Sequence, residues 1–247
     1  MRYILITNDD GILADGLVRL ARAAAAFGDV WVVAPDGERS AASHRITLHK
    51  DILVKPCDFP AEGVHAFSCS GSPADCVRVG SLGLMPQPPD VVLSGINRGY
   101  NAGTDLQYSA TAGAAFEGAF QGFPSIAFSE GFHGLHEVTD KYLEGLLEEA
   151  MEVKPGSGRI WNINFPECLL QECRGILRNV KPADTSFYTD HYTMATMEDG
   201  TLKLHVKGEK GVPPKEGTDL WALKENYVSV GFVNNIGRSN ENGGEER

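Results

Sequence analysis

Cysteine is scarce in this chain and shows no pairing. Cys57, Cys69, Cys76, Cys168 and Cys173 are odd in number, and no two form a Cys-x-x-Cys pair. A disulfide framework and a structural zinc site are therefore not expected; reduced thiols in a cytoplasmic protein are. Positive charge is also in short supply. Twenty-two Lys and Arg stand against 33 Asp and Glu, a formal net charge of −11. This excludes sequence-independent binding to a nucleic-acid polymer, which needs a basic face against the phosphates. It leaves room for a local anion site, where a metal ion or backbone N–H groups meet the ligand. No run of about 18 apolar residues exists, so neither a membrane span nor a membrane partner is expected. The N-terminus enters a strand without a basic-then-apolar leader, and no internal repeat is visible.

What is present is an alternation of buried strands and helices, on a length that suits one large domain or a domain plus an arm. Residues 3–7 read as a buried strand. Leu17, Leu20, Ala21 and Ala24 recur at helical spacing over 15–27, and Gly28 ends the run. "DVWVVAPD" (29–36) is a second strand. Strand, helix and strand within about 35 residues make a βαβ unit, hence a parallel sheet with a right-handed crossover. "ITLHKDILVKP" and "VHAFSCSG" have strand character. Residues 72–85 read as a helix that Ser72 caps and Pro73 opens. Strand 89–97, a small-residue helix over 109–122, strand "PSIAFS", a helix over 138–152 and strand "RIWNINFP" follow. From about residue 174 the rhythm changes. Asp199-Gly200 signals a hairpin, "GVPPKEGTD" a loop, and "SNENGGEER" a frayed tail. The expected fold class is α/β, a parallel sheet flanked by helices. Residues 1–173 are expected to form this core, and 174–247 a β-rich C-terminal arm and closing segment.

Open parallel sheets bind ligands beyond the carboxyl ends of their strands. The candidates are therefore the polar residues just after each strand: Asn8, Asp9 and Asp10; then Arg39, Ser40 and Ser43; then Ser94, Gly95, Asn97, Asn101 and Thr104. Successive side chains on a strand alternate faces, so Asp9 and Asp10 converge on one ion only if the chain turns, and Gly11 permits a turn. Two carboxylates with neutral oxygens from Ser40 and Asn97 make an all-oxygen set. Such a set suits Mg²⁺, Mn²⁺ or Ca²⁺ rather than zinc. Each piece alone has a plainer reading. Asp-Asp-Gly is a common turn and helix-cap composition, Asn97 a loop cap, and Ser40 a helix cap or turn former. "SGINRGYNAGTDLQYSATAGAAFEG" runs from a loop of glycines and asparagines into a helix N-terminus, where backbone N–H groups favour phosphate. Ser109 and Thr111 fall in that first turn, as a phosphate site or as a cap. His133 and His136 lie in the glycine-broken "EGFHGLHEV" and read as loop or surface residues.

The blocks "ILITNDDG", "VVAPDGERSAAS", "SGSPADCV", "VLSGINRGYNAGTDLQYSATAGAAFEG", "WNINFP" and "TDLWALKENYVSV" resemble, in order, those of the SurE family, from residue 3 to about 231. The resemblance implies a Rossmann-like core with a β-rich C-terminal arm exchanged between subunits of a homodimer or homotetramer. It implies hydrolysis of nucleoside 5′-monophosphates to nucleoside and phosphate, with tolerance for 3′-monophosphates and short polyphosphate. It also implies one divalent ion per subunit, Mg²⁺ or Mn²⁺, at positions matching Asp9, Asp10, Ser40 and Asn97, and a phosphate contact at Ser109. Ala110 stands where the family usually has Gly, Ser72 where it often has Thr, and "VSVGFVNN" lacks the common Thr-Pro-Leu close.

Asp9 and Asp10 are the candidate catalytic residues. Asn8, Arg39, Ser43, Gly95, Asn101, Ser109 and Thr111 are the candidate substrate contacts. Whether an aspartate acts as general base or as nucleophile is open. Water is favoured as the nucleophile, because a carboxylate neutralised by an ion attacks poorly. A receiver module would need an acceptor Asp closing the third strand and a Lys closing the fifth, where Asn97 and Pro166 stand. A haloacid-dehalogenase-type phosphatase would need Asp-x-Asp after the first strand. A non-catalytic nucleotide or phosphate sensor would use the same pocket, and turnover separates it from an enzyme.

Overall fold

The computed structural model of the chain describes residues 1–153, 156, 158–186 and 188–235. In chain order the main elements are β1 (Tyr3–Thr7), α1 (Asp15–Ala24), β2 (Asp29–Pro35), β3 (Val54–Pro56), β4 (Val64–Cys69), α2 (Pro73–Val79), β5 (Val91–Arg98), α3 (Ala110–Phe120), β6 (Ser125–Glu130), α4 (Glu137–Glu152), β7 (Arg159–Phe165), β8 (Ile176–Arg178), β9 (Tyr188–Thr196), β10 (Leu202–Lys210), α5 (Asp219–Lys224) and β11 (Val228–Asn234). Nine strands form one sheet in the order β3-β4-β2-β1-β5-β6-β7-β11-β8, and β9 and β10 form a separate antiparallel pair. The six strands from β4 to β7 in that order run parallel to one another. From β1 the chain winds outward one way through β2 and β4; from β5 it winds the other way through β6 and β7. The reversal between β1 and β5 is the switch point at which ligands of such sheets bind.

Side-chain alternation sorts the core. Ile4 and Ile6 face α1 and α4, whereas Leu5 faces α2 and α3. All of these are fully buried, each burial contributing roughly 1.5–3 kcal/mol. α3 is buried over nearly its whole circumference, which explains its alanines and glycines. A Cβ on Gly113 would lie 2.6 Å from the carbonyl of Ser43, and one on Gly118 would lie 2.9 Å from Val92. The connections β5–α3–β6 and β6–α4–β7 step the same way along the sheet with their helices on opposite faces. They are therefore of opposite hand, where nearly all such crossovers are right-handed.

Three expectations are corrected. Of "ITLHKDILVKP" only Val54–Pro56 pairs as a strand. The chain before it takes its bonds from side chains instead: the Thr47 N–H and hydroxyl both donate to the Asp75 carboxylate, at 2.8 Å each. The helix after Ser72 ends at Val79 and widens into a π turn over Gly80–Leu84. Gly80 lies against Leu5, which a Cβ there would approach to 2.6 Å. Ser72 does cap α2, in a reciprocal box with Asp75. Finally, residue 173 does not close the sheet. β8 and β11 lie beyond it and extend the main sheet, with β11 antiparallel to β7. The hairpin turning at Asp199-Gly200 stands apart as β9–β10. The expected frayed tail, 239–247, lies outside the described residues. Among the described residues no helix is long and apolar enough to cross a membrane, and all five cysteines are free.

Gly16, in the first turn of α1, sets how closely that helix approaches the end of β5: an added Cβ would come within 2.1 Å of the Ile96 carbonyl oxygen. Gly16→Ala is expected to cost about 1–3 kcal/mol by overpacking, lowering Tm by roughly 2–4 °C per kcal/mol. Gly145 is exposed within α4, with nothing within 4 Å of an added Cβ. Gly145→Ala should stabilise by about 0.5–1 kcal/mol through helix propensity. Thermal melting of the two variants checks the pair; equal shifts would contradict the packing argument.

Candidate active site

The carboxyl ends of β1, β2, β5, β6 and β7 share one rim, and a cleft of about 610 Å³ opens there. Its walls include Asp9, Ser40, Asn97, Asn101, Tyr108, Ser109, Phe132 and His133. Asp9 is 4% exposed. Its Oδ1 accepts a 2.6 Å hydrogen bond from the Thr111 hydroxyl, and its carbonyl accepts the Arg39 N–H at 2.7 Å. The carboxylate thus sits at the N-terminus of α3, where the helix dipole favours negative charge. Asp10 lies beside it, half-buried, accepting the Arg98 N–H at 3.2 Å.

Asn8 explains how two adjacent acids come off one strand end. Its Nδ2 donates to the Gly11 carbonyl at 2.9 Å, and its Oδ1 accepts the Gly11 N–H. This closes a turn in which Gly11 takes a φ of 106°, a conformation natural to glycine. At the end of β5, Gly95 (φ 137°) plays a related part. A Cβ there would meet the Phe128 carbonyl at 2.4 Å, and the register with β6 shifts between Ser94 and Asn97. Asn97 lines the cleft, and its Nδ2 donates to the Gly99 carbonyl at 2.8 Å, so its Oδ1 is the atom that could accept or ligate.

Ser40 rides on the loop after β2, which is fastened to α3. The Ser43 hydroxyl donates to the Gln107 carbonyl, its N–H donates to that of Tyr108, and His44 pairs with Glu117 at 2.8 Å. Burial would raise the Glu117 pKa, but hydrogen bonds from His44, Gln121 and Arg78 prevail and pull it down to about 2. Ala41 and Ser43 hold φ of 54° and 53°, a left-handed strain of about 1 kcal/mol or more each that these bonds sustain. The Ser40 hydroxyl donates to Glu38 at 2.7 Å, keeping its oxygen lone pairs.

The structure therefore brings Asp9, Ser40, Asn97, Asn101 and Ser109 onto one cleft, with Asp10 at its edge. It turns Asn8, Arg39, Ser43 and Thr111 to supporting bonds, and Gly95 serves by its close approach to Phe128. Arg39 pairs with Asp36 at 2.7 Å, and Thr111 holds Asp9. Asn101 is itself locked: Asn164 accepts its N–H, and its carbonyl takes the side-chain amides of Asn162 and Asn164. Sequence reasoning did not single out these two asparagines. It also missed Asp219, whose buried carboxylate accepts the N–H groups of Gly103 and Ala183 at 2.9 Å each and so ties the loop before α3 to the C-terminal segment. His133, read as a loop residue, lines the cleft beside Glu167.

Burial raises Asp9, and the charge of Asp10 adds to it against the opposing Thr111 hydrogen bond; the outcome is about 6. Burial raises Asp10 also. Among the described residues no salt bridge reaches either carboxylate. A cation placed against Asp9, Asp10, Ser40 and Asn97 would supply the missing countercharge, and these oxygens suit a hard divalent ion. Among the described residues no cluster of three or more His, Cys, Asp and Glu could hold a metal, which leaves the mixed set of carboxylates with neutral oxygens.

The family model described as Survival protein SurE matches residues 4–186. The chain belongs to the SurE family. It is 37% identical over 231 residues to the 5′-nucleotidase SurE of Clostridium botulinum (strain Kyoto / Type A2), covering 92% of this chain and 90% of that protein. To the 5′-nucleotidase SurE of Synechococcus sp. (strain JA-3-3Ab) it is 42% identical over 240 residues, covering 92% and 89%. The crystal structure of the SurE protein from Aquifex aeolicus matches with a TM-score of 0.79 at 31% identity, over 94% of this chain and 93% of that one.

The raised pKa of Asp9 makes a pH prediction for this SurE chain. The folded form holds the proton to about pH 6, the unfolded chain only to 3.8. Without divalent ions, the group's contribution is level below about pH 4. It then turns unfavourable as the pH rises to 6, reaching ~3 kcal/mol. Denaturant melts in chelator should show this loss in the wild type and not in Asp9→Asn, and added Mn²⁺ should stabilise only the wild type. A difference between the two proteins that stays flat from pH 4 to 7 would contradict the assignment.

Proposed function

We propose that this SurE chain is a metal-dependent phosphomonoesterase that hydrolyses nucleoside 5′-monophosphates to nucleoside and phosphate, and accepts 3′-monophosphates and short polyphosphate as well. The observation that carries the reading is the buried Asp9 beside Asp10, at the sheet's switch point and on a cleft that runs to the N-terminus of α3. Its relatives named 5′-nucleotidases, matched over nine-tenths of the chain, support it.

Asp9, Asp10, Ser40 and Asn97 would hold one Mg²⁺ or Mn²⁺ per subunit, which when bound supplies charge against a dianionic phosphate and acidifies water. The chain's own groups supply the rest. The Ser109 oxygen already accepts the Ala112 N–H at 3.0 Å, so its hydroxyl proton is available to a phosphate oxygen. The first turn of α3 adds partial positive charge at the same place. Asp9, with one oxygen tied by Thr111, is a poor attacking group, so water is the nucleophile and the aspartates orient it. Preorganised donors of this kind act where charge develops in transfer to water.

Phosphate release from 5′- and 3′-nucleotides, by chelated protein with Mn²⁺, Mg²⁺ or no metal, tests the reading. Release should depend on metal and fall by about a hundredfold or more in Asp10→Asn, since an ion supplies several kcal/mol. Folded protein that binds nucleotide without releasing phosphate under any metal would make the cleft a sensor instead.

We further propose that the β9–β10 hairpin joins copies of the chain into a homodimer or homotetramer. Its cross-strand pairs Tyr192–Val206 and Met194–Leu204 lie on one face. Tyr192 is 63% and Met194 65% exposed, an apolar row that an isolated chain leaves in water. Met194→Lys with Leu204→Lys should shift the mass in light scattering toward monomer; an unchanged mass would remove the hairpin from the interface.

A further inference from the structure

We propose that His133 is a further catalytic residue, handing a proton to the departing nucleoside oxygen, with Glu167 as its positioning residue. The inference rests on the nucleotide-hydrolase reading of the same cleft. Asp9, Ser40 and Asn97 reach that cleft from β1, β2 and β5, whereas His133 and Glu167 reach it from the loops after β6 and β7.

The pair is built rather than incidental. Glu167 Oε2 lies 2.7 Å from His133 Nδ1, and Oε1 accepts the His133 backbone N–H. One carboxylate therefore fixes both the ring and its backbone. A carboxylate at Nδ1 places a proton there and leaves Nε2 as the ring atom for a ligand. Glu167 is itself fixed, its N–H donating to the Tyr100 hydroxyl at 2.7 Å. Gly131 makes room for it: a Cβ there would fall 2.2 Å from Glu167 Cβ and 2.5 Å from Cδ. On the other side Phe132 meets the His133 ring edge-on and carries the Arg98 guanidinium 4.7 Å over its own ring. The histidine is exposed but its loop is pinned on both sides.

The reaction needs such a group. When the phosphorus–oxygen bond to the sugar breaks, its electron pair stays on an alkoxide, a poor leaving group unless protonated as it departs. On the phosphate side, Asp9 and Asp10 would be deprotonated while they hold the ion, and the Asn97 amide and the Ser40 and Ser109 hydroxyls are far too weak as acids. Tyr100 is pushed up to about 12 by burial and is too weak an acid. His133 is the one histidine among the described residues of the cleft. Imidazolium Nε2–H gives its proton to the leaving oxygen as the water oxygen forms the new bond to phosphorus. The products are nucleoside and dihydrogen phosphate, which returns one of the water's protons to the neutral imidazole. The sum is ester dianion plus water to alcohol plus hydrogen phosphate.

Three substrates separate this role from binding or scaffolding: a nucleoside 5′-monophosphate, phenyl phosphate and 4-nitrophenyl phosphate. The last two share a shape and differ in leaving group. His133→Asn, with His133→Gln as a second variant should the first not fold, is measured on all three in Mn²⁺. We expect kcat to fall by about a hundredfold on the nucleotide, substantially on phenyl phosphate, and by less than about tenfold on 4-nitrophenyl phosphate, whose leaving group needs no proton. Glu167→Gln should give the same pattern in weaker form. Equal losses on all three substrates, or a rise in nucleotide KM with kcat kept, would overturn the role of His133. Absence of phosphate release by the wild type from every substrate would instead overturn the hydrolase reading on which it rests.

Discussion

Asp9 is a carboxylate held almost out of reach of water, next to a second carboxylate, and the surrounding structure is arranged around that cost. Burying one charge without compensation costs several kcal/mol. Part of the compensation comes from the chain itself: the Thr111 hydroxyl at 2.6 Å and the N-terminus of α3. Burial still prevails, so the folded chain prefers the proton up to about pH 6. A cation is what would make the charged form comfortable, which is why the proposed ion and the geometry of α3 belong to one argument. The helix must end at the acid, and it must be thin enough to lie between the sheet and the Ser40 loop. Its run of alanines and glycines, closed against Ser43 on one side and Val92 on the other, meets both needs.

That constraint separates what the sequence made legible from what it hid. Asp9, Asp10, Ser40 and Asn97 were readable because each follows a strong apolar strand and the switch point gathers strand ends. Asn8, Arg39 and Ser43 satisfy the same rule, yet the structure turns them to neighbouring backbone and side chains, as it does Thr111 in the first turn of α3. Position after a strand predicts the rim, but not the direction of a side chain. Asn162, Asn164 and Asp219 were invisible for a different reason. Their partners, Asn101 and Gly103, lie 61 to 116 residues away, and no local pattern announces such a bond. The C-terminal sheet strands escaped likewise: β11 pairs with β7 across a hairpin and a helix, so its alternation read as a continuing arm.

His133 and Glu167 combine both difficulties. Glycines on either side of the histidine erase any period, and 34 residues separate it from the acid that holds it. The one local hint was Gly131, whose missing side chain is the space Glu167 occupies. A glycine at a strand end usually reads as a turn; here it also marks where another chain segment crosses.

The switch point also gives the cleft two chemically different halves. Strands β1, β2 and β5 carry acids and neutral oxygens to one part of the rim, where a cation and a phosphate would meet. Strands β6 and β7 carry an imidazole, its carboxylate and an exposed aromatic to the other. A phosphomonoester has the same division, with charge on phosphorus and a proton-hungry oxygen leading to an uncharged body. Had the proton donor come from the acid-bearing loops, burial and neighbouring carboxylates would have competed for its proton. Placing it on separate strands, fixed through Tyr100 and Glu167 rather than through Asp9, keeps the donor's hydrogen bonds apart from those that hold the acids.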